Sequence, residues 1–171
     1  MLFIGTNWDS RKKYIGFLER NKICDIFERT DDKTIQKKYS SQFYVEILQT
    51  YMAIFNHSGG SAENVDNAKM FEAMACGAIL ITNECANGVK ELFPQGSYLT
   101  YPNLHQGYGK FVSIDKKWGR FQEIITNIIS QLKNNMRKRQ QIIGESLKCI
   151  GERHTHEIRG KEFIEIIKKI K

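Results

Sequence analysis

The chain has 171 residues, 41% of them apolar, and its 26 Lys and Arg against 19 Asp and Glu give a formal net charge of +7. That length supplies one domain with a hydrophobic core and is about half of what a two-domain α/β enzyme requires. No apolar run approaches the roughly 20 residues of a membrane helix and no basic stretch leads into an apolar core, so the expectation is a cytoplasmic protein, at most peripheral at a membrane.

The segment LFIG (2–5) predicts a short strand, followed by the polar turn TNWDS. Residues 10–21 place Tyr14, Ile15, Phe17 and Leu18 at helical spacing. ICDIF (23–27) predicts a second strand. The second half of 33–50 is expected to be helical, with Phe43, Tyr44, Ile47 and Leu48 on one stripe. MAIFNH (52–57) predicts a third strand, leading into SGGSAENVDN. A helix over 66–76, a strand over 78–82, a short helix near 88–93 and a strand over 97–101 complete the alternation. Strands and helices alternating at these lengths imply right-handed βαβ units and a parallel sheet. The fold class expected is α/β, a Rossmann-like doubly wound parallel sheet with a helical C-terminus.

Beyond residue 118 the pattern is helical to the end. Phe121, Ile124, Ile125, Ile128, Ile129 and Leu132 form one amphipathic stripe, and Phe163, Ile164, Ile167 and Ile170 a second. No repeat, low-complexity tract or linker interrupts the chain, which predicts a single domain over 1–171. The first strand begins within a residue or two of Met1, so a segment ahead of it is expected.

Cysteines 24, 76, 85 and 149 form no C-x-x-C pair and have no histidine at zinc spacing. Cys24 and Cys76 lie in apolar stretches, as small buried side chains do, which fits a reducing compartment. In an open parallel sheet, ligands bind outside the carboxyl ends of the strands, beside helix N-termini. Three loops fall there: 5–11 with Gly5, Thr6, Ser10 and Arg11; 57–68 with Ser58, Gly59, Gly60, Ser61, Asn64, Asp66 and Asn67; and 83–89 with Asn83, Glu84, Asn87 and Gly88. Each cluster also suits an ordinary loop, and Asp66 suits a helix N-cap. Neither G-x-G-x-x-G nor G-x-x-x-x-G-K-[ST] occurs, which removes the main support for dinucleotide oxidoreductases and P-loop proteins.

The stretch KMFEAMACGAILITNECANGVKELF (69–93) is more specific. It resembles the donor-binding segment of retaining glycosyltransferases of the GT-B fold, closest to the glycosyltransferase group 1 branch with the spore-maturation-protein-like transferases. The matching pieces are FEAMACG (71–77), the apolar strand with Thr82, Asn87-Gly88 and Glu91-Leu92-Phe93. FIGTNWDSRKKYIGFL near the start and HTHEIRGKEFIEII near the end resemble that branch's opening strand and closing helix. Residues 102–117 look like an insertion relative to it.

The resemblance implies the C-terminal, donor-binding domain of a two-domain hexosyltransferase that retains anomeric configuration. Its donor is a nucleotide-diphosphate sugar, and no metal or other cofactor is implied. Glu72 would accept hydrogen bonds from ribose hydroxyls, Lys69 and Arg11 would face the diphosphate, and Gly5 and Thr6 would bring backbone N–H groups to it. Asn64, Asn87 and Gly88 complete the expected donor set. Many retaining members carry a second glutamate eight positions before the one matching Glu72, where this chain has Asn64. No catalytic residue is therefore assigned. The family's last helix crosses toward an N-terminal domain, so the Ile/Phe stripe implies a missing N-terminal domain or partner subunit.

Other readings stand beside these. Glu72 also suits a solvated helix face. The chain also suits a non-catalytic nucleotide-sugar-binding module. Nucleic acid is a weak partner candidate, because the Lys and Arg are spread along the chain without a recognition motif. The basic stretch KNNMRKRQQ (133–141) suits a solvated face, with contact to a membrane surface or polyanion as the alternative. His154 and His156 flank a helix start, where capping explains them. Tyr98, Tyr101, Tyr108 and Trp118 either frame an acceptor site or pack the insertion.

Overall fold

The computed structural model describes residues 1–5, 9–28, 41–57, 68–83, 89–102 and 114–170. Five strands, β1 (Leu2–Gly5), β2 (Asp25–Glu28), β3 (Ala53–Asn56), β4 (Ile79–Asn83) and β5 (Leu99–Tyr101), form one sheet in the order β2-β1-β3-β4-β5. Every pairing is parallel. The helices are α1 (Asp9–Arg20), α2 (Ser41–Thr50), α3 (Ala68–Ala75), α4 (Val89–Leu92), α5 (Ile114–Asn134), α6 (Met136–Arg153) and α7 (His156–Ile170). The expected α/β class and parallel sheet are the observed ones.

Every residue of β3 and β4 is buried, as befits parallel strands covered on both faces. Phe3, Phe55, Ile79 and Ile81 pack on one side with Tyr14, Ile15 and Leu18 of α1 and Phe121, Ile125 and Ile129 of α5. On the other side Leu2 and Ile54 meet Leu48 of α2 and Ala73 of α3. Leu80 there meets Met70 and Met74 of α3, Val89 of α4 and Cys149 of α6. Ala73 is fully buried, and its small side chain lets α3 lie close to the sheet.

Helix α3 stops because Gly77 adopts φ 77°, which glycine reaches without the Cβ clash other residues meet. Gly77 N–H then donates to Met74 O and Ala78 N–H to Ala73 O, a Schellman closure that satisfies the last carbonyls and feeds β4.

Among the described residues, three boundaries differ from expectation by two residues or more. β2 starts at Asp25 rather than residue 23, because Lys22 (φ 52°) ends the turn after α1 and Asp25 N–H is the first to pair, with Met1 O. β5 starts at Leu99 rather than residue 97, because Ser97 instead turns back on Pro94, with both its N–H and its hydroxyl donating to that carbonyl. α5 starts at Ile114 rather than 118, taking in the last four residues of the expected 102–117 insertion. The apolar stripe that predicts α5 begins only at Phe121, about two turns later.

Helix α7 lies against α6 at its start and is exposed beyond it. Phe163 is 64% exposed and Ile167 41%, with Ile164 and Ile166 between these values. Its pairs Arg159–Glu162, Lys161–Glu157 and Lys168–Glu165 are all surface pairs, worth at most about 1 kcal/mol each. Among the described residues no helix is long and apolar enough to cross a membrane.

Candidate donor-binding site

The chain leaves β1 toward α1 on one face of the sheet and leaves β3 toward α3 on the other. Their carboxyl ends therefore border the crevice where strand order reverses, the usual ligand position in open parallel sheets. Gly5 ends β1, paired with Glu28 of β2. Arg11 sits in the first turn of α1. Lys69 sits in the first turn of α3, half-buried, and Glu72 follows one turn later. Thr6, Asn64, Asn87 and Gly88 lie outside the described residues, as do Ser58 through Asn67, Glu84 and Tyr108.

Glu72 is half-buried, and its Oε2 accepts a hydrogen bond from the Tyr44 hydroxyl at 2.8 Å. Tyr44 stands in the first turn of α2, so two helices of the same face meet at this carboxylate. The arrangement differs from a freely solvated helix face: the Tyr44 bond restricts the rotamer of Glu72. A carboxylate has about four lone-pair positions, and Tyr44 occupies one.

The carboxyl edge holds polar side chains that are nonetheless buried. Asn56, His57, Thr82 and Asn83 are each at most 6% exposed. Asn56 Nδ2 donates to Thr82 Oγ1 at 3.0 Å across the β3–β4 pairing. Tyr101, the last residue of β5, donates its hydroxyl proton to the Asn56 carbonyl at 2.7 Å, and His57 Nδ1 lies 2.8 Å from the same hydroxyl oxygen. Rings enclose this group: Tyr14 is 4.2 Å from His57 and Phe55 is stacked on Tyr101 at 4.8 Å, centroid to centroid.

Among the described residues, Tyr98, Tyr101 and Trp118 beside the expected insertion pack against other rings. Tyr101 is fully buried against Phe55 and Phe121, Tyr98 lies edge-on to Phe93, and Trp118 stacks on Phe121 with Lys13 Nζ over its ring. His154 closes α6 as its C-cap and meets the Leu92 carbonyl through Nε2 at 2.9 Å; the start of α7, where capping was expected of the histidines, is capped instead by Thr155, whose Oγ1 accepts from Ile158 N–H at 3.3 Å. Sequence reasoning did not single out His57 or the role of Tyr44. A histidine directly after an apolar strand and before Ser-Gly-Gly is a signal for the former; nothing local marks the latter.

The sequence profile of the glycosyl transferase-like family (Glyco_trans_1_2) matches residues 1–165. The chain belongs to the glycosyl transferase-like family. No curated protein sequence matches it. Among solved structures, it is similar to Anabaena Alr3699/HepE, crystallised with UDP and with UDP and glucose, at TM-score 0.62 and 14% identity over 98% of this chain. It is also similar to the pneumococcal O-GlcNAc transferase GtfA, crystallised with UDP and GlcNAc, at TM-score 0.54 and 17% identity over 97% of this chain. The chain spans 40% of the HepE chain and 35% of the GtfA chain. At these identities the likeness is one of fold, and that fold is the expected one.

The thiols of this glycosyl transferase-like chain carry a pH prediction. Burial pushes the Cys24 thiol up to about 12, with Asp25 and Glu19 adding to it against the N-terminal ammonium. Burial also raises Cys149 and Cys76, the latter with help from the Glu72 charge. The nucleophile is the thiolate, so iodoacetamide at pH 8 is expected to reach half-buried Cys76 before Cys24 or Cys149. Those two should react only in denaturant, as mapped by peptide mass spectrometry. Because the folded state raises these pKa values, the stability they contribute is full below the unfolded thiol range. It is lost as pH climbs from there toward the folded values.

Proposed function

We propose that this chain is the donor-binding part of a glycosyltransferase, holding a nucleotide-diphosphate sugar at the carboxyl edge of the sheet for transfer to an acceptor. Glu72 carries the reading: this carboxylate of the FEAMACG segment sits in α3, the helix between β3 and β4, and accepts the hydrogen bond of the Tyr44 hydroxyl. Ionised, it accepts from the ribose hydroxyls. Lys69 and Arg11 face the diphosphate from α3 and α1, with Gly5 and Thr6 offering backbone N–H groups. Asn64 contacts the sugar, and Asn87 and Gly88 line the edge beyond β4.

Departure of the nucleoside diphosphate builds negative charge. The N-terminus of α3 and the two cations stabilise it without a metal. The exposed Phe163, Ile164, Ile166 and Ile167 stripe of α7 is the docking face for an N-terminal domain or partner subunit that supplies most of the acceptor site. The crystallised relatives, more than twice as long, support that division.

Asn64 favours a second reading, a binding module without turnover, because a neutral amide cannot offset charge on an oxocarbenium-like centre. Incubation of the chain with UDP-glucose, UDP-GlcNAc and GDP-mannose separates the two. Slow release of nucleoside diphosphate from one of them is expected. Tight binding with no release over days would instead identify the binding module.

A further inference from the structure

Four residues at the carboxyl edge form one connected polar group, Thr82, Asn56, Tyr101 and His57: the Asn56 side chain bonds Thr82, its backbone carbonyl bonds the Tyr101 hydroxyl, and that hydroxyl meets His57. They come from β4, from β3 and its exit, and from β5, and none is more than 6% exposed. A sheet that needed only stability would fill such positions with apolar side chains, as β3 and β4 do at Ala53–Phe55 and Ile79–Ile81. Buried polar groups are stabilising only when every member is satisfied, and departures from the apolar pattern concentrate where function requires them. This one lies at the ligand-binding edge.

The proton positions follow from the geometry. Tyr101 has one hydroxyl hydrogen, and it goes to the Asn56 carbonyl at 2.7 Å. The 2.8 Å contact between the same oxygen and His57 Nδ1 is then a bond donated by the imidazole. The ring is therefore the Nδ1–H tautomer, leaving Nε2 as the acceptor nitrogen in the neutral form. Pleat alternation puts His57 on the side of Phe55, where Tyr14 of α1 covers it. Tyr101 thus ties the exit of β3 to β5 across β4, and His57 ties it to α1 through Tyr14.

We propose that Tyr101 is a positioning residue of the donor site: acting through His57 and the Asn56 carbonyl, it fixes the end of β3 beside the crevice without touching the donor. This rests on the donor-binding reading above. The test uses the full chain, with Tyr101→Phe and, as a control, Ser146→Ala. Ser146 hydroxyl bonds the Ser97 and Ile142 carbonyls, at the amino end of β5, and is equally buried.

Imidazole nitrogen resonances in long-range proton–nitrogen correlation spectra are expected to show His57 as Nδ1–H in the wild type and to lose that signature in Tyr101→Phe. Calorimetry with UDP, GDP and ADP is expected to show about tenfold weaker binding of the preferred diphosphate by Tyr101→Phe, the scale of one hydrogen bond. Ser146→Ala should melt earlier yet bind as wild type does. An Nε2–H ring in the wild type, or Tyr101→Phe binding within about twofold of it, overturns the proposal. If no diphosphate binds the wild type, the positioning role falls. An Nδ1–H ring in that case places the fault in the donor-binding reading and not in the hydrogen-bonded group.

Discussion

Glu72→Ala is expected to weaken nucleoside diphosphate binding by about ten- to a hundredfold, since hydrogen bonds to a charged acceptor are worth roughly 1.5–3 kcal/mol. On the proposed role of Glu72 the ribose hydroxyls lose their acceptor, and α3 keeps its anchoring residues Met70, Ala73 and Met74. Glu72→Gln should fall between, keeping one carbonyl oxygen but no charge. Tyr44→Phe separates this role from a structural one. It removes the 2.8 Å bond from the hydroxyl and leaves the carboxylate in place, so affinity should fall by far less. Isothermal titration of all three variants measures the contrast. Should Glu72→Ala and Tyr44→Phe lower the melting temperature alike and bind nucleotide as the wild type does, Glu72 is only the partner of a tyrosine.

Phe121→Ala is expected to have the largest effect on stability. Phe121 is fully buried, with Tyr14, Trp118 and Tyr101 at centroid distances of 4.8, 5.1 and 5.3 Å. Truncating a buried phenylalanine costs about 3–5 kcal/mol through lost burial and the cavity left behind. That is a large share of the roughly 5–15 kcal/mol by which domains are stable. The melting temperature should fall by roughly 10 °C. Phe163→Ala, on the exposed face of α7, should change stability by no more than about 0.5 kcal/mol. Urea midpoints at unchanged slope read both. Equal losses would mean that α7 packs on the body of this chain.

How much of this was legible in the sequence differs by element. The FEAMACG helix, its glycine stop and the apolar run of β4 were readable because each signal is local: small residues, one glycine, five adjacent buried positions. The α5 and α7 stripes were readable from period alone. Which face each residue of β3 and β4 lines was not, because strands buried on both sides lose the alternation that marks a face. The bonds that shape the edge were also hidden. Tyr44 meets Glu72 from 28 residues away and His57 meets Tyr101 from 44, and only the strand order brings them together. Tyr101 read, from its place beside the expected insertion, as framing an acceptor site or packing the insertion; its hydroxyl meets the Asn56 carbonyl and His57, neither of which is near it in sequence.

The central claim is that the crevice beside β1 and β3 binds a nucleoside diphosphate. A thermal-shift titration of the wild-type chain with UDP, GDP, ADP and UMP tests it most directly. Ligand that binds only the folded state stabilises it by about 2.7 kcal/mol at a hundred times its Kd. At least one diphosphate is expected to raise the melting temperature steadily with concentration, with UMP well behind UDP because it lacks the second phosphate for Lys69 and Arg11. No shift with any of the four, up to millimolar concentrations, would contradict the claim and leave the family's segment here as a helix-to-strand turn.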